Sequence, residues 1–260
     1  MPGNHEARNL AVFCDFENVA LGVREAKYAQ FDMEKVLERL LAKGSIVVKK
    51  AYCDWERYKE FKVGMHAASF ELIEIPHLRQ SGKNSADIRM VVDALDLCYT
   101  KEHVDTFVIV SGDSDFSPLV SKLRENAKMV IGVGVKNSSS DLLIANCDEF
   151  IYYDDLVRQE EQKRRATRKR RESAPAAEDK KQEAFDLMLS TLEALIAERG
   201  AEEKIWGSMV KQALKRRQPG FNESYYGFRA FSDLLEEAEK KGVIKLEPDE
   251  KSGGYVIRAG

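Results

Sequence analysis

Apolar runs and amphipathic stretches alternate along the first 153 residues of the chain. Val- and Ile-rich runs at 10–15, 46–53, 71–76, 104–111 and 129–135 read as strands, with a short edge strand near 149–152. They lack polar alternation, the mark of strands covered on both faces. Between them, helical spacing of apolar positions predicts helices at 32–43, 55–69, 84–99, 115–126 and 139–146. Alternating strands and helices imply a parallel sheet with helices on its faces, an α/β fold.

The pattern changes after residue 157. The stretch 158–181, "RQEEQKRRATRKRRESAPAAEDKK", has no apolar period and reads as a helix extension running into a linker. Helical spacing returns at 183–199, 206–216 and 224–241, and "VIKLEPDEKSGGYVIR" reads as two strands joined by a turn at Gly253-Gly254. Three helices and a terminal hairpin outline a small winged-helix domain. The expected division is 8–155 for the α/β domain, 156–182 for a basic charged linker and 183–260 for the winged helix.

Composition narrows the class. Of 260 residues, 43% are apolar and 33% charged, which fits a globular protein with a real core. No apolar run approaches the roughly 20 residues that span a membrane, and no export signal is evident at the N-terminus, so the expected setting is cytoplasmic. Cys14, Cys53, Cys98 and Cys147 show neither C-x-x-C pairing nor zinc spacing and read as reduced structural thiols. The net charge of −3 is uneven: residues 1–157 carry −6, 158–181 carry +5 and 182–260 carry −2. The basic segment could touch phosphates or simply be solvated.

The candidate chemistry lies where the strands stop. "VFCDFENV" ends an apolar run in Asp15, Glu17 and Asn18, and "FVIVSGDSDFSP" ends another in Asp113 and Asp115. In a doubly wound sheet, ligands bind beyond the carboxyl ends of strands where strand order reverses. Neighbouring first and fourth strands would set Asp15 across from Asp113, with Asp115 two residues on and Asp87 opening the third helix. Convergent carboxylates repel unless protonated or bound to a cation. Hard oxygen donors select Mg²⁺ or Mn²⁺, which can activate water and neutralise charge at phosphorus. Phosphodiester hydrolysis is the chemistry this favours.

Each Asp also has a plainer reading as a helix N-cap, and Asp115 or Ser114 could cap "FSPLV". Asp93 and Asp96 share i, i+4, i+7 spacing with Arg89 and are expected on an exposed, salt-bridged face. Asn18 is a candidate orienter of substrate or water. Lys83 could neutralise a phosphate, and "KNSSSD" at 136–141 could open a helix whose N–H groups meet one. In the C-terminal domain, Lys211, Lys215, Arg216 and Arg217 form a basic edge near Phe221, Tyr225, Tyr226 and Phe228. Basic groups beside aromatics suit single-stranded nucleic acid, although most of these rings are expected to pack the small core.

Three segments, Asp15-Phe16-Glu17-Asn18, "KNSADIRMVVDA" and "SGDSDFSPLV", resemble the NYN domain, a branch of the PIN-like nuclease superfamily, over roughly residues 8–155. The resemblance implies a PIN-like three-layer α/β/α sandwich, metal-dependent RNA cleavage, and an acidic metal site of Asp15, Asp87, Asp113 and Asp115 with Asn18 beside it. The C-terminal segment resembles a LOTUS or OST-HTH domain on Trp206, Phe221, Gly227 and Phe231, which implies RNA or protein contacts. Two other readings stand beside the ribonuclease: a non-catalytic RNA-binding adaptor, and a haloacid-dehalogenase-like phosphatase with Asp15 as nucleophile. The latter wants a second Asp two residues on, where this chain has Glu17. "GVGV" at 132–135 lacks dinucleotide-binding spacing, and a DNA-binding role leaves the acids unexplained. A homodimer is compatible with the exposed strand edges.

Overall fold

The computed structural model describes residues 8–28, 30–75, 85–161, 179–200, 203–249 and 254–259. It divides into two compact units, the first formed by residues up to 161 apart from Glu38–Lys43, the second by that segment and the residues from 162 on.

The first unit is a six-stranded, wholly parallel sheet flanked by helices. Its strands are β1 (Arg8–Asp15), β2 (Gly44–Cys53), β3 (Glu71–Glu74), β4 (Thr106–Val110), β5 (Met129–Gly134) and β6 (Glu149–Tyr152). They lie in the order β3-β2-β1-β4-β5-β6, so the direction of build-up reverses between β1 and β4. Those two pair directly, Cys14 beside Val110. The helices are α1 (Phe16–Glu25), α2 (Met33–Lys43), α3 (Lys62–Ala67), α4 (Ser85–Thr100), α5 (Ser117–Glu125) and α6 (Asp141–Asn146), followed by α7 at 153–161.

The side-chain period of two along β1 explains how the site is placed. Ala11 and Phe13 join one buried cluster with Phe107 and Ile109 of β4, Met90, Ala94 and Cys98 of α4, and Leu119, Val120 and Leu123 of α5. Leu10, Val12 and Cys14, on the opposite face, are equally inaccessible. Asp15 continues the Ala11–Phe13 face one step past the apolar run. On α4, Asp87 continues the Met90–Ala94–Cys98 stripe one turn towards the N-terminus. Both acids are therefore extensions of a single packed layer beyond the sheet edge.

The helices expected at 55–69 and 224–241 take another form, and α1 and the strand Ile205–Trp206 have no counterpart in the sequence expectation. The helix foreseen at 55–69 begins only at Lys62, after a turn at 55–58 and a 3-10 turn at Lys59–Phe61. Trp55 is the cause: it is buried, donates Nε1–H to Ile73 O at 3.2 Å, and takes the chain across the layer before a helix can start. The following residues close an aromatic cluster in which Phe16 meets Phe31, Trp55, Tyr58 and Phe61 at centroid distances of 5.0–5.9 Å. Phe16→Ala is expected to cost about 3–4 kcal/mol through lost burial and a residual cavity, read as a lower urea midpoint at unchanged slope.

The second unit holds α8 (Asp179–Arg199), α9 (Gly207–Arg217), α10 (Phe231–Lys240) and a three-stranded antiparallel sheet, β7 (Ile205–Trp206), β8 (Ile244–Asp249) and β9 (Gly254–Ala259), ordered β7-β9-β8. Its core gathers Phe185, Met188 and Leu192 of α8, Val210 and Leu214 of α9, and Leu234 and Leu235 of α10. The helix expected at 224–241 is split. Asn222 caps a 3-10 turn at Glu223–Tyr226, Gly227 takes a left-handed φ of 86°, and α10 starts only at Phe231. The segment 162–178, which carries most of the basic stretch, lies outside the described residues.

Cys14, Cys53 and Cys98 are buried, Cys147 is half-buried, and all four are free thiols; burial raises each thiol pKa. Among the described residues no helix is long and apolar enough to cross a membrane.

Candidate active site

The carboxyl ends of β1 and β4 are stitched together by two hydrogen bonds, with a third inside the β4 exit. Ser111, fully buried just past β4, donates its hydroxyl to Asp15 Oδ2 at 3.0 Å. Ser111 Oγ in turn accepts Asp113 N–H at 3.2 Å. Gly112 N–H donates to Asn18 Oδ1 at 2.9 Å. Gly112 itself sits where no side chain fits, since a Cβ there would lie 2.4 Å from Ser138 O and 2.9 Å from Ser139 Cα. Ser140 N–H donates to Gly112 O at 2.8 Å, which fixes the 136–140 segment against the crevice.

Capping and site formation turn out to coexist. Asp15 Oδ1 accepts Asn18 N–H at 3.4 Å as N-cap of α1, and Asp113 Oδ1 accepts Asp115 N–H at 3.0 Å as N-cap of the 3-10 turn at Ser114–Phe116. The caps are thus Asp15 and Asp113 rather than Asp115 or Ser114. A cap uses one carboxylate oxygen for one backbone donor, so Asp113 keeps its second oxygen for another ligand. Asp115 is exposed.

Among the described residues, the charges that shift Asp15 and Asp87 are all negative. Asp15 is only 7% exposed. Burial first, then the Asp87 charge, pushes its pKa up to about 7 against the lowering effect of the Ser111 and Asn18 hydrogen bonds. Half-buried Asp87 is raised to about 6, first by burial and then by Asp113, Asp115 and Glu17, all negative. Asp15 thus feels the charges of Asp87 and Asp113, and Asp87 those of Asp113 and Asp115. Among the described residues, however, no three Asp, Glu, His or Cys side chains close into a metal cage. Hard oxygen donors, mutual repulsion and one nearly buried carboxylate suit a divalent cation held by few protein ligands, as Mg²⁺ is when it keeps its waters. They do not suit a closed structural site.

Several participants were not evident from sequence. Ser111 and Gly112 stand between the strand and the acids and carry the hydrogen bonds that aim them. The signal available was a lone serine directly after a fully apolar strand. Asp93 is not on an exposed face: its side chain is 14% exposed and accepts Tyr52 OH at 2.9 Å as well as Arg89 Nε–H at 3.0 Å. Tyr52 pairs in register with Asp15, so this contact ties α4, and with it Asp87, to the sheet. Glu17 is held at 3.3 Å by Arg57.

The nucleic-acid candidates are dispersed. Lys83 lies outside the described residues. In the second unit, Lys211 pairs with Glu223 at 2.9 Å, and Arg217 donates to Thr191 Oγ1 at 3.1 Å and Ser190 Oγ at 3.3 Å. Arg216 is half-buried, its pKa lowered by burial and by Arg199, and Lys215 is exposed. Phe221 and Phe228 pack the core, whereas Tyr225 is 61% exposed, with Lys180 Nζ 4.6 Å from its ring centroid. The "KNSSSD" segment opens α6, capped by Ser140, and its other contacts buttress Gly112.

Comparison with known proteins bears on the first unit. The family model described as NYN domain matches residues 9–154. An uncharacterised protein of Methanocaldococcus jannaschii is 28% identical over 117 residues, which are 45% of each chain, so this chain spans less than half of that relative. The crystal structure of a protein of unknown function from Vibrio parahaemolyticus superposes with a TM-score of 0.52 at 28% identity, covering 60% of this chain and 98% of that one. With its reversal point between β1 and β4 and its acids at that edge, the chain belongs to the NYN domain family, of the PIN-like nuclease kind.

Proposed function

We propose that the protein is a metal-dependent ribonuclease that hydrolyses RNA phosphodiester bonds at the crevice between β1 and β4. One observation supports this most: Asp15, nearly buried, has its pKa raised towards neutrality by its own burial and by Asp87. A fold maintains such a cost where the charge is used. Asp15, Asp87, Asp113 and Asp115 would hold Mg²⁺ or Mn²⁺ between them, some directly and the others through its waters. The ion, when bound, supplies an activated water and neutralises charge at phosphorus.

The chain's own residues do the rest. Ser111 and the Asn18 N–H orient Asp15, and Asn18 turns its amide nitrogen towards substrate while its oxygen stays on Gly112. In the metal-free protein burial and then Asp113 raise the Asp87 pKa to about 6, a cost that a bound cation would relieve. The second unit, read as a winged helix of LOTUS type, would hold RNA through Lys215, Lys211 and exposed Tyr225, with the basic linker adding phosphate contacts. Asp15 makes a poor covalent nucleophile because both its oxygens accept hydrogen bonds and it is nearly buried, which sets the phosphatase reading below this one. The second reading is a non-catalytic RNA-binding adaptor, which keeps the fold without the chemistry.

Cleavage of labelled single-stranded and structured RNA in Mg²⁺ or Mn²⁺, wild type beside Asp113→Asn, separates these readings. The nuclease predicts metal-dependent cutting that falls by more than about 100-fold in the variant, beyond what losing an outer-shell partner costs. Equal cutting by both proteins overturns the site. Tight RNA binding with no cutting by either establishes the adaptor.

A further inference from the structure

An acidic crevice repels the polyanion it would have to cut. On that reading of the site as a ribonuclease, some cation must meet the RNA backbone at its mouth. We propose that Arg57 is that residue: it binds a backbone phosphate of the RNA beside the acidic crevice, leaving Glu17 to do so.

The segment after β2, "DWERYKEF" at 54–61, is built to present it. Trp55 is buried and anchors the turn, donating Nε1–H to Ile73 O at 3.2 Å and its backbone N–H to Glu74 Oε1 at 3.0 Å. Arg57 N–H donates to Asp54 O at 3.1 Å, closing the turn. Tyr58 packs edge-on against Phe16, the residue that follows Asp15, at 5.8 Å between centroids. The guanidinium thus issues from a backbone fixed on both sides and is itself half in solvent, at 50% side-chain exposure. Its Nη1 lies 3.3 Å from Glu17 Oε1, and Glu17 is one of the charges that act on Asp87.

The contact with Glu17 is long and single. A bidentate guanidinium–phosphate pair is shorter and stronger, so exchange of partners favours the phosphate. The anchoring means little ordering is needed on binding. Lys62, eight residues after Asp54, is instead paired with Glu56 at 2.7 Å, pointing its charge elsewhere in the same segment. It supplies the control.

The test uses the full chain carrying Asp113→Asn, so that RNA is held without being cut, and a fluorescein-labelled single-stranded RNA followed by anisotropy in Mg²⁺ at several KCl concentrations. Adding Arg57→Ala is expected to weaken binding about tenfold and to flatten the log–log salt dependence by about 0.7, the value for one lost single-strand phosphate contact. Arg57→Lys should keep the salt slope while losing part of the affinity, because the charge remains and the fork does not. An unchanged slope with Arg57→Ala overturns the proposal, as does an equal loss with Lys62→Ala, which would reflect net charge alone. Wild type that cuts RNA with Arg57→Ala binding unaltered defeats this inference only. Wild type that never cuts, with the Arg57 effect present, defeats the nuclease reading and leaves the phosphate contact standing.

Discussion

Asp15→Asn is expected to make the metal-free protein more stable at pH 8 while removing its RNA cleavage. The carboxylate is 7% exposed and its pKa is raised to about 7, against about 3.9 in an unfolded chain. The folded state therefore holds a proton through a window, roughly pH 4 to 7, in which the unfolded state has lost it. Stability must fall as pH rises through that window and stay low above it. An uncharged amide escapes the effect and still offers an oxygen to Ser111 or to the Asn18 N–H.

In EDTA the variant and wild type should melt within about 1 °C of each other near pH 4 and differ by about 6 °C at pH 8, on the order of 2 kcal/mol for a chain of this size. Asp87, half-buried and raised in the same direction to about 6, adds to the wild-type slope by a smaller amount. Mg²⁺ or Mn²⁺ should raise the wild-type melting temperature at pH 8 and leave the variant nearly unmoved, because a ligand stabilises only the state it binds. Melting curves that stay the same distance apart at both pH values would show that the charge of Asp15 carries no such cost.

Gly112→Ala is expected to be the most damaging single methyl group that can be added near the crevice. The new Cβ would meet Ser138 O at 2.4 Å and Ser139 Cα at 2.9 Å, both backbone atoms that no rotamer change can move. Relief requires shifting either the 138–139 segment or the exit of β4, and each carries a hydrogen bond, Ser140 N–H to Gly112 O or Gly112 N–H to Asn18 Oδ1. A cost of about 3 kcal/mol follows, at the upper end for overpacking. A displacement near 1 Å at Asp113 should also cut the rate by about 100-fold. Gly64→Ala is the matched control. It lies in α3 with open space around its Cβ, so the better helix propensity of Ala should leave the protein as stable or slightly more so. Thermal unfolding and cleavage rates on the two variants check both statements.

The parts of this architecture legible in sequence were those governed by short periods. Uninterrupted apolar runs marked β1, β4 and β5, as expected of strands buried on both faces. The approach of Asp15 to Asp113 rested on one condition, that β1 and β4 are neighbours, and the two strands do pair. What escaped the sequence was decided by tertiary partners. Trp55 replaced a turn of helix with an anchored loop, and Gly227 broke a helix that apolar spacing alone would have continued. Asp93 looked like a surface acid because its partner Tyr52 comes from a strand 41 residues away. Ser111 gave no periodic signal at all; its importance lies in one hydroxyl that serves two backbone exits at once.

The hydrogen bond from Ser111 to Asp15 also dates the birth of the site during synthesis. It joins residues 96 apart, whereas the capping bond from the Asn18 N–H to Asp15 spans three. Closing the longer loop costs about 3 kcal/mol more in chain entropy, by the logarithmic dependence on length. A chain that ends after α4 already contains Asp15 and Asp87 but not Ser111, Gly112 or Asp113. Only when β4 pairs with β1 can Ser111 and Gly112 reach Asp15 and Asn18. The bonds that aim the acids thus form in the same step that closes the centre of the sheet.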